Sequence, residues 1–64
     1  MKRRRLMKHL NRYQCVVKRE GRLHTIVVNL LTGAESQVPR HAEIKAFTAR
    51  EICKELAVPV LAEK

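Results

Sequence analysis

Gly21 stands between two stretches of strand-forming residues, and no other feature restricts the possible folds of this chain as much. Cys15–Glu20 and Leu23–Asn29 are short and rich in valine, with Ile26 in the second. Their β-branched content favours an extended backbone. Glu20-Gly21-Arg22 reads as a tight turn in which Gly21 supplies a positive φ at little cost. The expectation is an antiparallel hairpin with an arginine on each side of its turn, Arg19 and Arg22.

The segments around the hairpin supply its cover. Over residues 3–13, Leu6, Met7, Leu10 and Tyr13 fall on one face of a helix. Its other face carries Arg4, Arg5, Lys8, Asn11 and Arg12, and His9 on that side reads as solvated. Cations at the helix start oppose the macrodipole, and no capping residue precedes them. The start is therefore either frayed or used to bind phosphate. After the hairpin, Gly33 marks a further connection and residues 35–38 form a third strand that Pro39 ends. Arg40–Ala46 reads as a loop. A second helix is predicted from Thr48, where Thr48 and Glu51 have capping-box spacing and Phe47 and Ile52 can staple across it. Ala49, Ile52, Cys53 and Leu56 make its apolar stripe, Pro59 its stop, and residues 60–64 a loose tail. One domain over residues 1–64 results, of α+β class: helix, three antiparallel strands, helix. Two apolar stripes cover one face of the sheet and leave the other open. Double-stranded RNA-binding domains have the same element order.

Strand phase is ambiguous. If Ile26 and Val28 face the helices, His24 is buried with them; if Thr25 and Val27 do, His24 lies on the open face. The apolar count favours the first, and a bulge near Gly21 offers another way to free the imidazole.

Charge narrows the partners. Of the 64 residues, 14 are Lys or Arg and 6 are acidic, a net charge of +8. Residues 1–32 carry nine Lys/Arg against Glu20 alone, whereas residues 33–64 carry five of each sign. A one-sided basic field suits nucleic acid or an anionic membrane. The apolar runs, such as Ile26–Val28 followed after Asn29 by Leu30-Leu31, are far short of the ~20 residues that span a bilayer, and no membrane partner is expected. No export signal follows Lys2-Arg3-Arg4-Arg5, which points to the cytoplasm. Tyr13 and Phe47 are the only aromatics. With one of them in the core they make no stacking platform for bases, so phosphate contact and shape fit better. Cys15 and Cys53 read as small buried residues rather than a metal site or a disulfide.

His24 is the candidate catalyst, because an ordinary imidazole titrates near ~6.5 and can exchange a proton at neutral pH. Arg19 and Arg22 can hold a phosphate and stabilise charge on its equatorial oxygens, with Lys18 and Arg40 as further phosphate ligands. His41 follows Arg40 just past a strand end, a natural place for a substrate contact. In RNA the 2′-hydroxyl is a nucleophile already present, so a proton carrier, a charge clamp and correct geometry suffice.

Three stretches in order resemble the HicA family of toxin–antitoxin mRNA interferases. They are Arg19-Glu20-Gly21 with His24, Val38-Pro39-Arg40-His41 with Glu43-Ile44, and Thr48-Ala49-Arg50 with Ile52, Cys53 and Leu56. The likeness covers nearly the whole chain. It implies a double-stranded-RNA-binding-domain-like fold, cleavage of mRNA without a metal or other cofactor, and His24 in the place of the family's essential histidine. It also implies a HicB-like antitoxin that covers the active surface, and a monomeric free protein. Two positions differ from the family pattern. Arg22-Leu23 stand where a small residue usually precedes the histidine, and Gln14 stands where glycine often precedes the first strand. The alternatives from the residues are a module that binds structured RNA without cleaving it, and a basic protein that contacts only other proteins.

Overall fold

A computed structural model describes residues 1–61. The elements run α1 (Arg3–Arg12), β1 (Cys15–Glu20), β2 (His24–Asn29), β3 (Glu35–Pro39) and α2 (Ala46–Glu55). The strands form one antiparallel sheet in the order β1-β2-β3. Both helices lie on one face, in the two layers expected. The molecule measures 28 × 27 × 16 Å, its short dimension being one sheet plus one helix layer. Of the tail expected over 60–64, residues 62–64 lie outside the described residues.

Helical spacing puts Leu6 and Leu10 on the buried side of α1, and Ala49, Ile52, Cys53 and Leu56 on that of α2. Each fully buried Leu contributes roughly 1.5–3 kcal/mol relative to exposure. Cys15 and Cys53 are free thiols in this core. Burial, and then the nearby Cys53, push the Cys15 thiol up from its ordinary range. Neither aromatic ring joins the core, contrary to expectation: Tyr13 is 37 % and Phe47 68 % exposed.

The strand phase goes against the apolar count. Thr25, Val27 and Asn29 face the helices, and His24, Ile26 and Val28 lie on the other face. Two inward polar side chains are tolerated because both are satisfied. Thr25 accepts from Arg3 Nη2 (2.6 Å) and donates to Glu20 (2.7 Å), while Asn29 Nδ2 donates to the Leu56 carbonyl (2.7 Å). The bulge lies at Lys18, where the pairing skips from Val17↔Val27 to Arg19↔Ile26.

The start of α2 also differs from its prediction. The helix begins at Ala46 with Lys45 as its N-cap, and no side chain caps it. Thr48 and Glu51 therefore sit inside the helix and form no capping box. The residue before the cap and the fourth residue in are Ile44 and Ala49, both buried, whereas Phe47 is exposed. That apolar pair outweighs the Thr48 hydroxyl. The loop before it is tied down by the N-terminal segment. Ile44 N–H donates to the Met1 carbonyl (2.8 Å), Arg3 N–H to the Ala42 carbonyl (2.8 Å), and Lys2 pairs with Glu43 (3.4 Å).

Both helices end on a left-handed residue that is not glycine, Gln14 (φ 67°) after α1 and Ala57 (φ 58°) after α2. At α2 the Val58 and Ala57 amides return to the Cys53 and Lys54 carbonyls, a complete Schellman motif. Pro59 follows and stops the helix. His9 is not simply solvated: Nε2–H donates to the Pro59 carbonyl (2.7 Å), and the ring leans on Tyr13 with centroids 5.1 Å apart.

Candidate active site at the first hairpin turn

Chain direction concentrates charge at one end of the sheet. Arg3, the first residue of α1, donates from Nε to the Pro39 carbonyl (2.9 Å) and from Nη2 to Thr25. This fixes the α1 N-terminus at the His24 end of the sheet, on the face opposite the imidazole, because His24 pairs with Pro39 across the sheet. The α2 C-terminus is held at the opposite end, where Asn29 takes the Leu56 carbonyl and Ser36 donates to Glu55. The α2 N-terminus therefore lies at the His24 end too. Each terminus carries roughly +0.5 elementary charge, and neither has an acidic residue in its first turn. The cationic residues of this end act in the field of both helices.

Gly21 belongs here for a different reason from the one predicted. Its φ lies outside the left-handed range, but a Cβ at this position would meet the His24 carbonyl oxygen at 2.8 Å. Gly21 N–H donates to that same oxygen at 2.8 Å. Only a residue without a side chain lets the β1 end approach β2 this closely, and the approach fixes the backbone that carries the imidazole.

Arg40 closes the site from the third strand. Its Nη1 donates to the Gly21 carbonyl (2.9 Å) and lies 3.9 Å from Glu20 Oε1. Its own amide donates to the Leu23 carbonyl (3.2 Å). Below the turn, Glu20 accepts from Thr25, and Thr25 accepts from Arg3. A chain of contacts thus runs from α1 through the hairpin to the end of β3. Sequence reading missed this brace. Its only trace is the alternation Thr25-Val27-Asn29, in which polar residues share a strand face with valine; one arginine of the basic run cannot be singled out in advance.

His24 is exposed on the open face, and its ring has no hydrogen-bond partner among the described residues. Leu23 does not cover it: that side chain is 70 % exposed. Arg22 is exposed at the turn, and Arg19 shares the open face, opposite Ile26 and diagonal to His24. His41 is exposed in the loop after Arg40. Gly21, Arg22, His24, Arg40 and His41 thus meet at one end of the sheet, with Arg19 beside them. Lys18 is drawn away, since the bulge sends its ammonium to Glu35 on β3. Among the described residues no three His, Cys, Asp or Glu side chains converge as metal ligands would, and no helix is long and apolar enough to cross a membrane.

This end of the sheet thus carries an exposed imidazole and exposed guanidinium groups, the side-chain types that exchange a proton with a phosphate diester and bind its oxygens. No protein family, curated protein or solved structure matches this chain.

Proposed function

We propose that the chain is a small cytoplasmic endoribonuclease, an mRNA interferase of the HicA toxin kind that a HicB-like antitoxin silences. The observation that carries this reading is the exposed His24, with no partner among the described residues, at the sheet end where both helix N-termini, Arg22 and Arg40 gather.

In this reading a ribose–phosphate segment lies across the Gly21 turn. Arg22, Arg19 and the free edge of the Arg40 guanidinium hold the phosphate oxygens. The ribose 2′-oxygen attacks phosphorus, forming the new O–P bond as the bond to the 5′-oxygen breaks. The 2′-hydroxyl loses a proton and the departing 5′-oxygen gains one. His24 carries out one of these transfers, a contribution of about 10²–10⁴ in rate. Gly21 and the Arg3–Thr25–Glu20 brace keep the ring in place; they are positioning groups.

The test is to induce the gene alone and follow growth and transcript length, then to incubate the purified chain with RNA in the presence of a chelator. Growth arrest, shortened transcripts and metal-free cleavage are expected. Intact transcripts, with RNA affinity that merely falls as salt rises, would make the chain a binder of structured RNA.

A further inference from the structure

The outer edge of β3 differs in chemistry from the rest of the surface. Asn29 N–H donates to the Ala34 carbonyl (2.8 Å) and Arg40 N–H to the Leu23 carbonyl (3.2 Å), which marks these as hydrogen-bonded pairs of the β2–β3 ladder. Antiparallel alternation then turns the amides and carbonyls of Ser36 and Val38 toward β2, and those of Glu35 and Gln37 away from the sheet. Pro39 offers no N–H there, and its carbonyl is taken by Arg3. Among the described residues, the main-chain groups of Glu35 and Gln37 are left as a short, unpaired stretch of edge.

Beside this edge runs a groove of about 450 Å³ whose far wall is α2. Thr48, Glu51, Ile52 and Glu55 line that wall, Glu35 and Gln37 line the strand side, and His24 lies at one end. Three of the chain's six acidic residues line this groove, in a protein of net charge +8. Glu35 pairs with Lys18 and Glu51 with Lys54 (3.7 Å), but no Lys or Arg is among the described residues that line the groove. Its walls therefore favour a cationic occupant over a nucleic-acid backbone, and a second copy of so basic a chain is disfavoured by net charge. We infer that the groove takes an extended basic segment of a partner protein, added to the sheet as a fourth strand beside β3.

The spacing makes the proposal specific. A strand added about 4.8 Å from β3 exchanges main-chain hydrogen bonds with Glu35 and Gln37. Its alternate side chains face α2, and lysine or arginine suits those positions. The aliphatic stem lies along the groove while the charge reaches Glu51 and Glu55. Because His24 lines the same groove, an occupant reaching that end also limits access to the imidazole. The inference needs no catalysis and stands apart from the nuclease reading.

The probe is a short peptide in which lysine alternates with valine, added to the RNA-free protein, with amide hydrogen exchange and amide chemical shifts as readouts. At saturation the exchange of the Glu35 and Gln37 amides is expected to slow by about tenfold or more, while those of Ser36 and Val38, already paired, change little. Replacing the lysines by glutamate abolishes the effect. The double variant Glu51→Gln and Glu55→Gln weakens binding about fivefold, the loss of two exposed ion pairs, and keeps an acceptor for the Ser36 hydroxyl. Equal binding of the glutamate peptide, shifts confined to the Arg19 face, or no binding at millimolar peptide would overturn the inference. So would protection of Gln37 by an RNA oligonucleotide, or by self-association of the protein alone.

Discussion

The two ends of the sheet are built on opposite principles. At the Asn29 end nearly every polar group is used. The Asn29 side chain donates to Leu56 and accepts from the Leu31 and Thr32 amides (2.8 and 3.3 Å), and its main chain exchanges hydrogen bonds with Gly33 (2.7 Å) and Ala34 (2.8 Å). At the His24 end the backbone is equally well braced, but the side chains above it are left open: His24, Arg22 and His41 have no partner among the described residues. One end closes the fold. The other presents basic side chains at a surface on a braced backbone, which is the arrangement expected where a ligand completes the contacts.

The contrast is broken most forcefully at Asn29. Asn29→Ala removes three hydrogen bonds and leaves the Leu56 carbonyl buried without its partner. A loss of about 3 kcal/mol is expected in urea unfolding, with RNA cleavage per folded molecule unchanged. A loss under about 1 kcal/mol would show that the end is not braced as described.

The glycines sharpen it next. Gly21→Ala forces the hairpin away from the His24 carbonyl, at about 1–3 kcal/mol, and lowers cleavage by moving the imidazole. Gly33→Ala meets open space but must adopt φ +81°. It costs about 1–2 kcal/mol of stability and leaves cleavage alone. Equal effects of the two on cleavage would erase the distinction between the ends.

Smaller gains are expected away from both. Gln14→Gly and Ala57→Gly relieve left-handed residues at the helix ends, and each should raise stability by about 0.5–1 kcal/mol in thermal or urea unfolding. The smallest effect is at alkaline pH. The raised Cys15 thiol stays protonated in the fold while the unfolded chain ionises above about pH 8.5. Its contribution is complete below that pH and declines as pH rises further. Cys15→Ser should flatten that part of the stability–pH curve.

Local periodicity made much of the fold legible. Leu6 and Leu10, and Ala49, Ile52, Cys53 and Leu56, fall into place by helical spacing alone, and the hairpin follows from Gly21 between its two strands. The phase of β2 was not legible, because Ile26 and Val28 compete with Val27 and the decision rests on partners far along the chain. Arg3 satisfies Thr25 across 22 positions and Leu56 satisfies Asn29 across 27. The α2 start was misread for a related reason. Thr48 with Glu51 is a good local signal, but Ile44 is held by Met1 and sets the frame three residues earlier. Within the site, Gly21, Arg22 and His24 come together through their places in the turn, whereas Arg40 belongs to a separate segment that the register of β3 brings to Gly21. The diversion of Lys18 was not legible, because a bulge leaves no mark on the pattern of residue types.

The most direct test of the account is RNA cleavage by His24→Ala, measured with a chelator present and alongside its unfolding curve. The ring is exposed and makes no hydrogen bond among the described residues, so stability should stay within about 0.5 kcal/mol of the parent while cleavage falls by about 10²-fold or more. Cleavage at the parental rate by a fully folded variant would contradict the assignment of proton transfer to this imidazole.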